Sequence, residues 1–165
     1  MAYKAIYLHA YKILFGQALK FVLYDTNAKD VLQESFIRIF KSLPKFQYET
    51  EQATINWMKR ICTNEALSYL RKRKQWAKMD IDTRSETVFI KHELSDFRLF
   101  DLLVKLPELQ RLSFSLFAIE GYAHKEISER LGIKENHSRV LLKRARIQLA
   151  KLIDQNKLNA ASQRS

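Results

Sequence analysis

Apolar residues along this chain recur every three to four positions rather than in alternation, and few residues interrupt the period. That spacing marks amphipathic helices, in which residues i, i+3, i+4 and i+7 share a face. In the first half it predicts helices over about 3–23, 29–43 and 54–74, broken at Asp25-Thr26-Asn27 and at Pro44. Asp25 to Asn27 offer capping chemistry for the second of these helices. On it, Leu32, Phe36, Ile39, Phe40 and Leu43 make a core stripe, while Asp30, Gln33, Glu34, Ile37 and Lys41 lie on another face. The second half predicts helices over about 95–105, 108–119, 124–131 and 135–153, with Pro107 at the first position of one of them. Only 3 Gly and 2 Pro occur in 165 residues, and no segment calls for a strand, so the expected class is all-α.

Between the halves the period fails. Residues 71–78, RKRKQWAK, carry five cations (Arg71, Lys72, Arg73, Lys74 and Lys78), and 80–93 then turns acidic through Asp80, Asp82, Glu86 and Glu93. A charge switch without an apolar stripe reads as a flexible connector or a segment that orders on binding. The expected organisation is two small helical domains, 1–74 and 94–156, joined by a flexible linker, 75–93, with a frayed tail, 157–165. Hydrophobic residues make up 47% of the chain, enough for two packed cores. Lys4, His9, Lys12, Gln17 and Lys20 interrupt the aromatic-rich start, so it lacks the continuous apolar run of a signal peptide or membrane span. Membrane insertion is therefore not expected. Cys62 is the sole cysteine and lies beside Met58 and Ile61, which suits a buried thiol in a cytoplasmic protein.

Charge changes this picture. The chain carries 29 Lys and Arg against 18 Asp and Glu, a net charge of +11, which suits a polyanionic partner but does not separate DNA from RNA or an anionic membrane. The stretch from Ala118 to Arg146 narrows the choice. Ile127 and Leu131 lie one turn apart on a short helix, Gly132 permits a left-handed turn, Ile133 closes the core beneath it, and a basic helix follows. That is the pattern of a helix-turn-helix. In the last helix Leu142, Ala145, Leu149 and Leu152 keep an apolar stripe, while Arg139, Lys143, Arg144 and Arg146 put cations on the other faces, where a major groove would meet them. The same pattern also occurs in helical bundles that bind no nucleic acid.

In the first half, Trp57, Arg60, Asn64, Leu67 and Arg71 recur at helical spacing, extended by Lys72 to Lys74, and Phe46 to Gln52 reads as a loop with two aromatic residues, Phe46 and Tyr48. Aromatic rings offer stacking area to an unpaired base, and an amide offers a donor and an acceptor to a base edge. Such a surface fits opened or single-stranded nucleic acid. A core tryptophan and a solvated mid-helix asparagine fit the same residues equally well. No catalytic constellation is visible. His9, His92, His124 and His137 lack metal-site spacing, and there is no phosphate-binding glycine loop or nucleophile elbow. Asp80 and Asp82 read as part of a solvated acidic run. No cofactor, metal or small-molecule substrate is expected.

Four segments together resemble a known family: DVLQESFIRIFKSLPKF (30–46), INWMKRICTNEALSYLRKRK (55–74), LPELQRLSFSLFAIEGYAHKEISERLGI (106–133) and SRVLLKRARIQLAKLI (138–153). They are similar to regions two and four of bacterial sigma factors of the extracytoplasmic-function group, in the right order and with a short linker between. The resemblance implies a non-enzymatic subunit that delivers core RNA polymerase to promoter DNA and stabilises the melted minus-ten element. Asp30, Gln33, Glu34 and Phe36 fall where the family docks on the clamp helices of the largest polymerase subunit, and the flap region is an implied second contact. Phe46, Tyr48, Trp57, Arg60, Asn64, Arg71 and Lys72 fall in the segment that opens the minus-ten element and captures a flipped base. Arg139, Lys143 and Arg144 match positions that read the minus-thirty-five element, with Arg146 as a phosphate contact. An inhibitory anti-sigma partner is also implied. The chain departs from the pattern at Ser68, where the family often has Asp, and at Asn136-His137, which replace the usual Gly-Thr, Asn136 being the expected helix cap.

Two other readings compete. A free-standing helix-turn-helix regulator would normally dimerise to match two half-sites, and it leaves the Asp30-to-Phe36 segment without a task. A small basic enzyme acting on nucleic acid lacks any visible site.

Overall fold

The computed structural model describes the backbone of residues 2–78 and 97–162 and the side chains of 4–74 and 99–156. All elements among the described residues are helical, and the chain divides into two compact units, Met1–Glu93 and Leu94–Ser165.

The first unit holds α1 (Ala2–Val22), α2 (Asp25–Ser42), a 3-10 turn (Leu43–Lys45) and α3 (Glu51–Lys78), each long helix packing on the other two. The chain reverses between α1 and α2 through Leu23, whose φ of +65° is a left-handed conformation disfavoured for a branched side chain. Backbone bonds hold it there: Leu23 N–H donates to Leu19 O at 3.0 Å and Tyr24 N–H to Val22 O at 2.9 Å. The break expected at Asp25 to Asn27 is corrected: it lies at Leu23 and Tyr24, and those three residues form the first turn of α2. Tyr24 is the N-cap with no side-chain cap, while Asp25 pairs with Lys29 one turn on. A carboxylate in the first turn faces the positive end of the helix dipole and so takes over part of the cap's work. Pro44 stops α2 as expected, within the 3-10 turn.

The third helix is longer than its apolar period suggests. Thr50 caps it, accepting from Ala53 N–H on its hydroxyl at 3.1 Å, so α3 starts at Glu51 rather than near residue 54. At the other end it runs to Lys78 and takes in the start of the expected linker; the rest of that linker, with Asp80, Asp82, Glu86 and Glu93, lies outside the described residues. The core comes from Leu14, Ala18 and Phe21 of α1, Val31, Leu32 and Ile39 of α2, and Met58, Ala66 and Leu70 of α3. Cys62 is fully buried, with its thiol donating to Leu14 O at 3.4 Å. One polar pair crosses this core: the Gln17 amide donates to the Thr63 hydroxyl at 2.9 Å, both residues buried.

The second unit comprises α4 (Phe97–Leu103), α5 (Glu108–Phe114), a π-helical turn (Ser115–Ile119), α6 (His124–Leu131) and α7 (Glu135–Ser162). The single helix expected over 108–119 is thus α5 plus a wider turn, with Glu120 N–H reaching Ser115 O at 3.0 Å and Tyr122 N–H reaching Leu116 O at 2.9 Å. Pro107 caps α5 from one residue before its expected place, with φ −53° and ψ 143°. The frayed tail is corrected in part, because α7 continues to Ser162. Leu102, Leu103 and Leu106 bury against Ala145 and Leu149 of α7, with Phe114, Ile119 and Leu152 packed around them.

The Gln17–Thr63 bond generates a test. Thr63→Val keeps the shape but strands a buried amide donor, which should lower the stability of the chain by about 1–3 kcal/mol. Adding Gln17→Leu should recover part of that loss. Urea unfolding of both variants measures this, and a Thr63→Val midpoint equal to wild type would show that the bond contributes nothing.

Candidate nucleic-acid interface

In the second unit, α6 and α7 are joined by three residues, and the turn depends on Gly132. Its φ of +66° and ψ of 38° place it in the left-handed region, where a side chain would add strain. Its N–H and that of Ile133 both bond to Ser128 O, which satisfies the end of α6. At the other end Glu126 reaches back to accept from Ala123 N–H at 2.9 Å. Ile127 is fully buried, and Leu131 and Ile133 are half-buried, so the small core beneath the turn forms as the sequence suggests. Asn136 is corrected: it lies inside α7, which begins at Glu135, and does not cap it.

Burial then decides which way α7 faces. Ser138, Leu141, Leu142, Ala145 and Leu149 are buried, whereas Arg139, Lys143, Arg144 and Arg146 are all exposed. Two of the four cations have partners among the described residues. Arg139 pairs with Glu135 one turn back, and the Arg146 guanidinium lies 5.8 Å from the centre of the Phe117 ring. His124 also stacks on Phe117, with centroids 4.5 Å apart at 20°, and its Nδ1 lies 3.0 Å from the buried Ser138 hydroxyl. His124 therefore ties the start of α6 to the first turn of α7. Sequence reasoning missed this, because a lone histidine at a helix start gives no periodic signal.

In the first unit, α3 turns Met58, Cys62, Ala66 and Leu70 inward and leaves Arg60, Asn64, Arg71 and Lys72 exposed. Leu67, read from sequence as part of that outer face, is buried and belongs to the core. The two aromatic residues flanking the loop meet: Phe46 stacks on Trp57 with centroids 4.2 Å apart at 26°, both half-buried. Tyr48, between them in the loop 46–50, is 71% exposed. Phe46 and Trp57 thus form a fixed platform, and Tyr48 is the aromatic ring presented to solvent.

Asp30, Gln33 and Glu34 are exposed on α2, but Phe36 is only 4% exposed. Its ring lies 4.6 Å from that of Tyr7 and 5.7 Å from that of Phe40. Phe36 forms part of the floor of a surface groove of about 340 Å³, with Tyr7, Tyr11 and Ile37 around it and Gln33 and Lys29 on its rim. The exposure of Tyr7 and the 65% exposure of Leu8 extend the apolar surface onto α1. No described helix is long and apolar enough to cross a membrane.

Two family models match the chain in order: sigma-70 region 2 over residues 6–76 and sigma-70 region 4 over residues 86–149. An ECF RNA polymerase sigma factor, SigE of Mycolicibacterium smegmatis, is 31% identical over 134 residues, 74% of this chain and 50% of that protein. The chain thus spans half the length of that relative. RNA polymerase sigma factor SigZ of Bacillus subtilis is 29% identical over 150 residues, 85% of this chain and 83% of that protein. Among solved structures, the sigma factor RpoE of Bartonella quintana, in complex with the anti-sigma factor NepR, shares the fold. Its TM-score is 0.57 at 19% identity, covering 93% of this chain and 97% of that one.

The His124 environment predicts a pH dependence. Burial first, then the charge of Arg139, holds its pKa below the ordinary histidine value; Glu135 opposes this and Arg146 adds to it. The folded state therefore disfavours the imidazolium. The stability this represents is whole above about pH 6.5, the value for an unfolded chain, and is lost as pH falls through the lowered folded value. His124→Gln keeps a hydrogen-bonding group but does not titrate. Melting temperature followed from pH 7.5 to 5.5 should fall more steeply for wild type than for His124→Gln, and parallel profiles would refute the assignment.

Proposed function

Since the chain belongs to the extracytoplasmic-function sigma factors of the sigma-70 family, with region 2 and region 4 in order, we propose that it directs core RNA polymerase to specific promoters. Sigma factors are non-enzymatic subunits, so its work is binding. The observation that carries the reading is the helix-turn-helix of the second unit, with Arg139, Lys143 and Arg144 exposed along α7. It acts where polymerase and chromosome are, in the cytoplasm.

Each unit has its own part. Residues 1–74 act as region 2: Asp30, Gln33 and Glu34, with the adjoining groove floored by Phe36, dock on the polymerase clamp helices. Tyr48, Arg60, Asn64, Arg71 and Lys72 hold the opened minus-ten strand beside the Phe46–Trp57 platform. Extracting a base costs a few kcal/mol, and stacking contributes about 1–3 kcal/mol per base, so one exposed ring and one platform supply energy of the right order. Residues 94–156 act as region 4: Arg139, Lys143 and Arg144 read base edges of the minus-thirty-five element, Arg146 holds a phosphate, and the unit also meets the polymerase flap. An anti-sigma factor holds the chain inactive, as NepR is bound to RpoE of B. quintana in the solved complex.

The test is in-vitro transcription with sigma-free core polymerase on fragmented genomic template. Discrete start sites sharing two upstream elements are expected; a dimeric protein that binds duplex but ignores core polymerase would instead be a free-standing regulator. Gln33→Ala with Glu34→Ala removes two exposed side chains and should weaken core binding with the fold intact, which circular dichroism checks; unchanged affinity would refute the docking assignment. Arg144→Ala should lose about 1–3 kcal/mol of discrimination between the upstream element and a scrambled one. An equal loss on both duplexes would make Arg144 a phosphate contact.

A further inference from the structure

The buried stripe of α7 defines an opposite line. With 3.6 residues per turn, the positions facing away from Ser138, Leu142, Ala145 and Leu149 are Asn136, Val140, Lys143 and Ile147, and all four are exposed. Val140, 43% exposed, lies on that line within the first two turns of the helix, beside Arg139, Lys143 and Arg144. In a helix-turn-helix, the base edges are met by residues near the start of the second helix. A lone exposed valine is ordinary on a protein surface. This one differs in its neighbours, because the cations that flank it would bring a duplex to it. It also sits at an exposed helix position where valine is a weaker helix former than Ala, Lys or Arg. It can neither donate nor accept a hydrogen bond. The one apolar group the four bases show in the major groove is the C5-methyl of thymine.

We propose that Val140 is a specificity-determining residue of the upstream-element interface, its methyl groups packing on the C5-methyl of a thymine. The proposal rests on the sigma-factor reading above and deepens it, by committing the upstream element to a thymine at the position facing Val140. Arg139, Lys143 and Arg144 supply attraction and hydrogen bonds on either side, and Val140 supplies discrimination by shape and desolvation. Val140→Ala removes two methyl groups from an exposed site and replaces valine with a better helix former, so the fold is not at stake.

Deoxyuridine lacks only the C5-methyl of thymidine and keeps its pairing. Holoenzyme assembled from core polymerase and the full chain is bound to its own transcribed promoter, with each thymine of the upstream element replaced singly, on both strands. One replacement should weaken wild-type binding about fourfold, the value of roughly one buried methyl group. Val140→Ala should bind the unmodified promoter more weakly by a similar factor and be indifferent to that same replacement. An upstream element without thymine, no sensitive position, or a variant that keeps the full sensitivity would overturn the proposal. Holoenzyme that fails to distinguish the upstream element from a scrambled one would overturn the sigma-factor reading itself, a result separable from loss of methyl sensitivity alone.

Discussion

Burial of one stripe on each long helix is the constraint on which the rest depends. A rigid helix cannot turn one side chain outward without fixing where the others point, so the residues that hold α3 and α7 in their cores also aim their outer faces. Ser138, Ala145 and Leu149 bury against the second unit, and Arg139, Lys143 and Arg144 are exposed as a consequence. In α3, Cys62, Ala66 and Leu70 do the same for Arg60, Asn64 and Arg71. A polar substitution at an inner position would therefore disturb the outer face without touching a residue on it, since burying an unpaired polar group costs more than most surface contacts return.

Within that frame, a few polar contacts select one arrangement where apolar packing would allow several. Hydrophobic contact between α1 and α3 is tolerant of small sliding movements, because it is not directional. The Gln17–Thr63 bond is not tolerant: a shift along either helix would strand an amide in the core. His124 and Ser138 act likewise between α6 and α7, with Phe117 as the wall against which the imidazole lies flat. The Gly132 turn sets the approach of the two helices, and this contact sets their register.

Much of this was legible in the sequence. The apolar period located each described α-helix, though not all of their ends, and the Ile127–Gly132–Ile133 pattern located the turn, because Gly at a helix end has one strong physical meaning. The exposure of Arg139, Lys143, Arg144 and Arg146 followed from the stripe that turns inward and leaves the other faces to solvent. What stayed hidden was tertiary. Thr50 precedes no apolar run, so its cap on α3 gave no signal. Phe36 was read both as core and as a docking residue, and only its contact with Tyr7 from another helix shows it as the floor of a groove. Phe46 and Trp57 are eleven residues apart, and no local rule predicts that they stack on each other. Leu23 in a left-handed turn runs against its own preference, and the packing of α1 on α2 outweighs it.

The pairing of Arg139 with Glu135 raises the question of whether that cation is available to DNA. Magnitudes decide it. Both side chains are about half exposed, and an exposed pair one helical turn apart is worth about 0.3–0.5 kcal/mol. A bidentate base contact of the kind proposed for Arg139 is worth about 1–3 kcal/mol, so it outweighs the internal pair. On the proposed reading, Glu135 then acts on the approach rather than on the complex. Through a pair of that strength it would bias the long side chain of Arg139 toward one rotamer before DNA arrives and so lower the ordering cost of the proposed contact. It also leaves a carboxylate at the start of α7, where the helix dipole favours it and a misplaced phosphate would be repelled. On the proposed reading, the anion that weakens the net charge of α7 would thereby sharpen where a duplex sits on it.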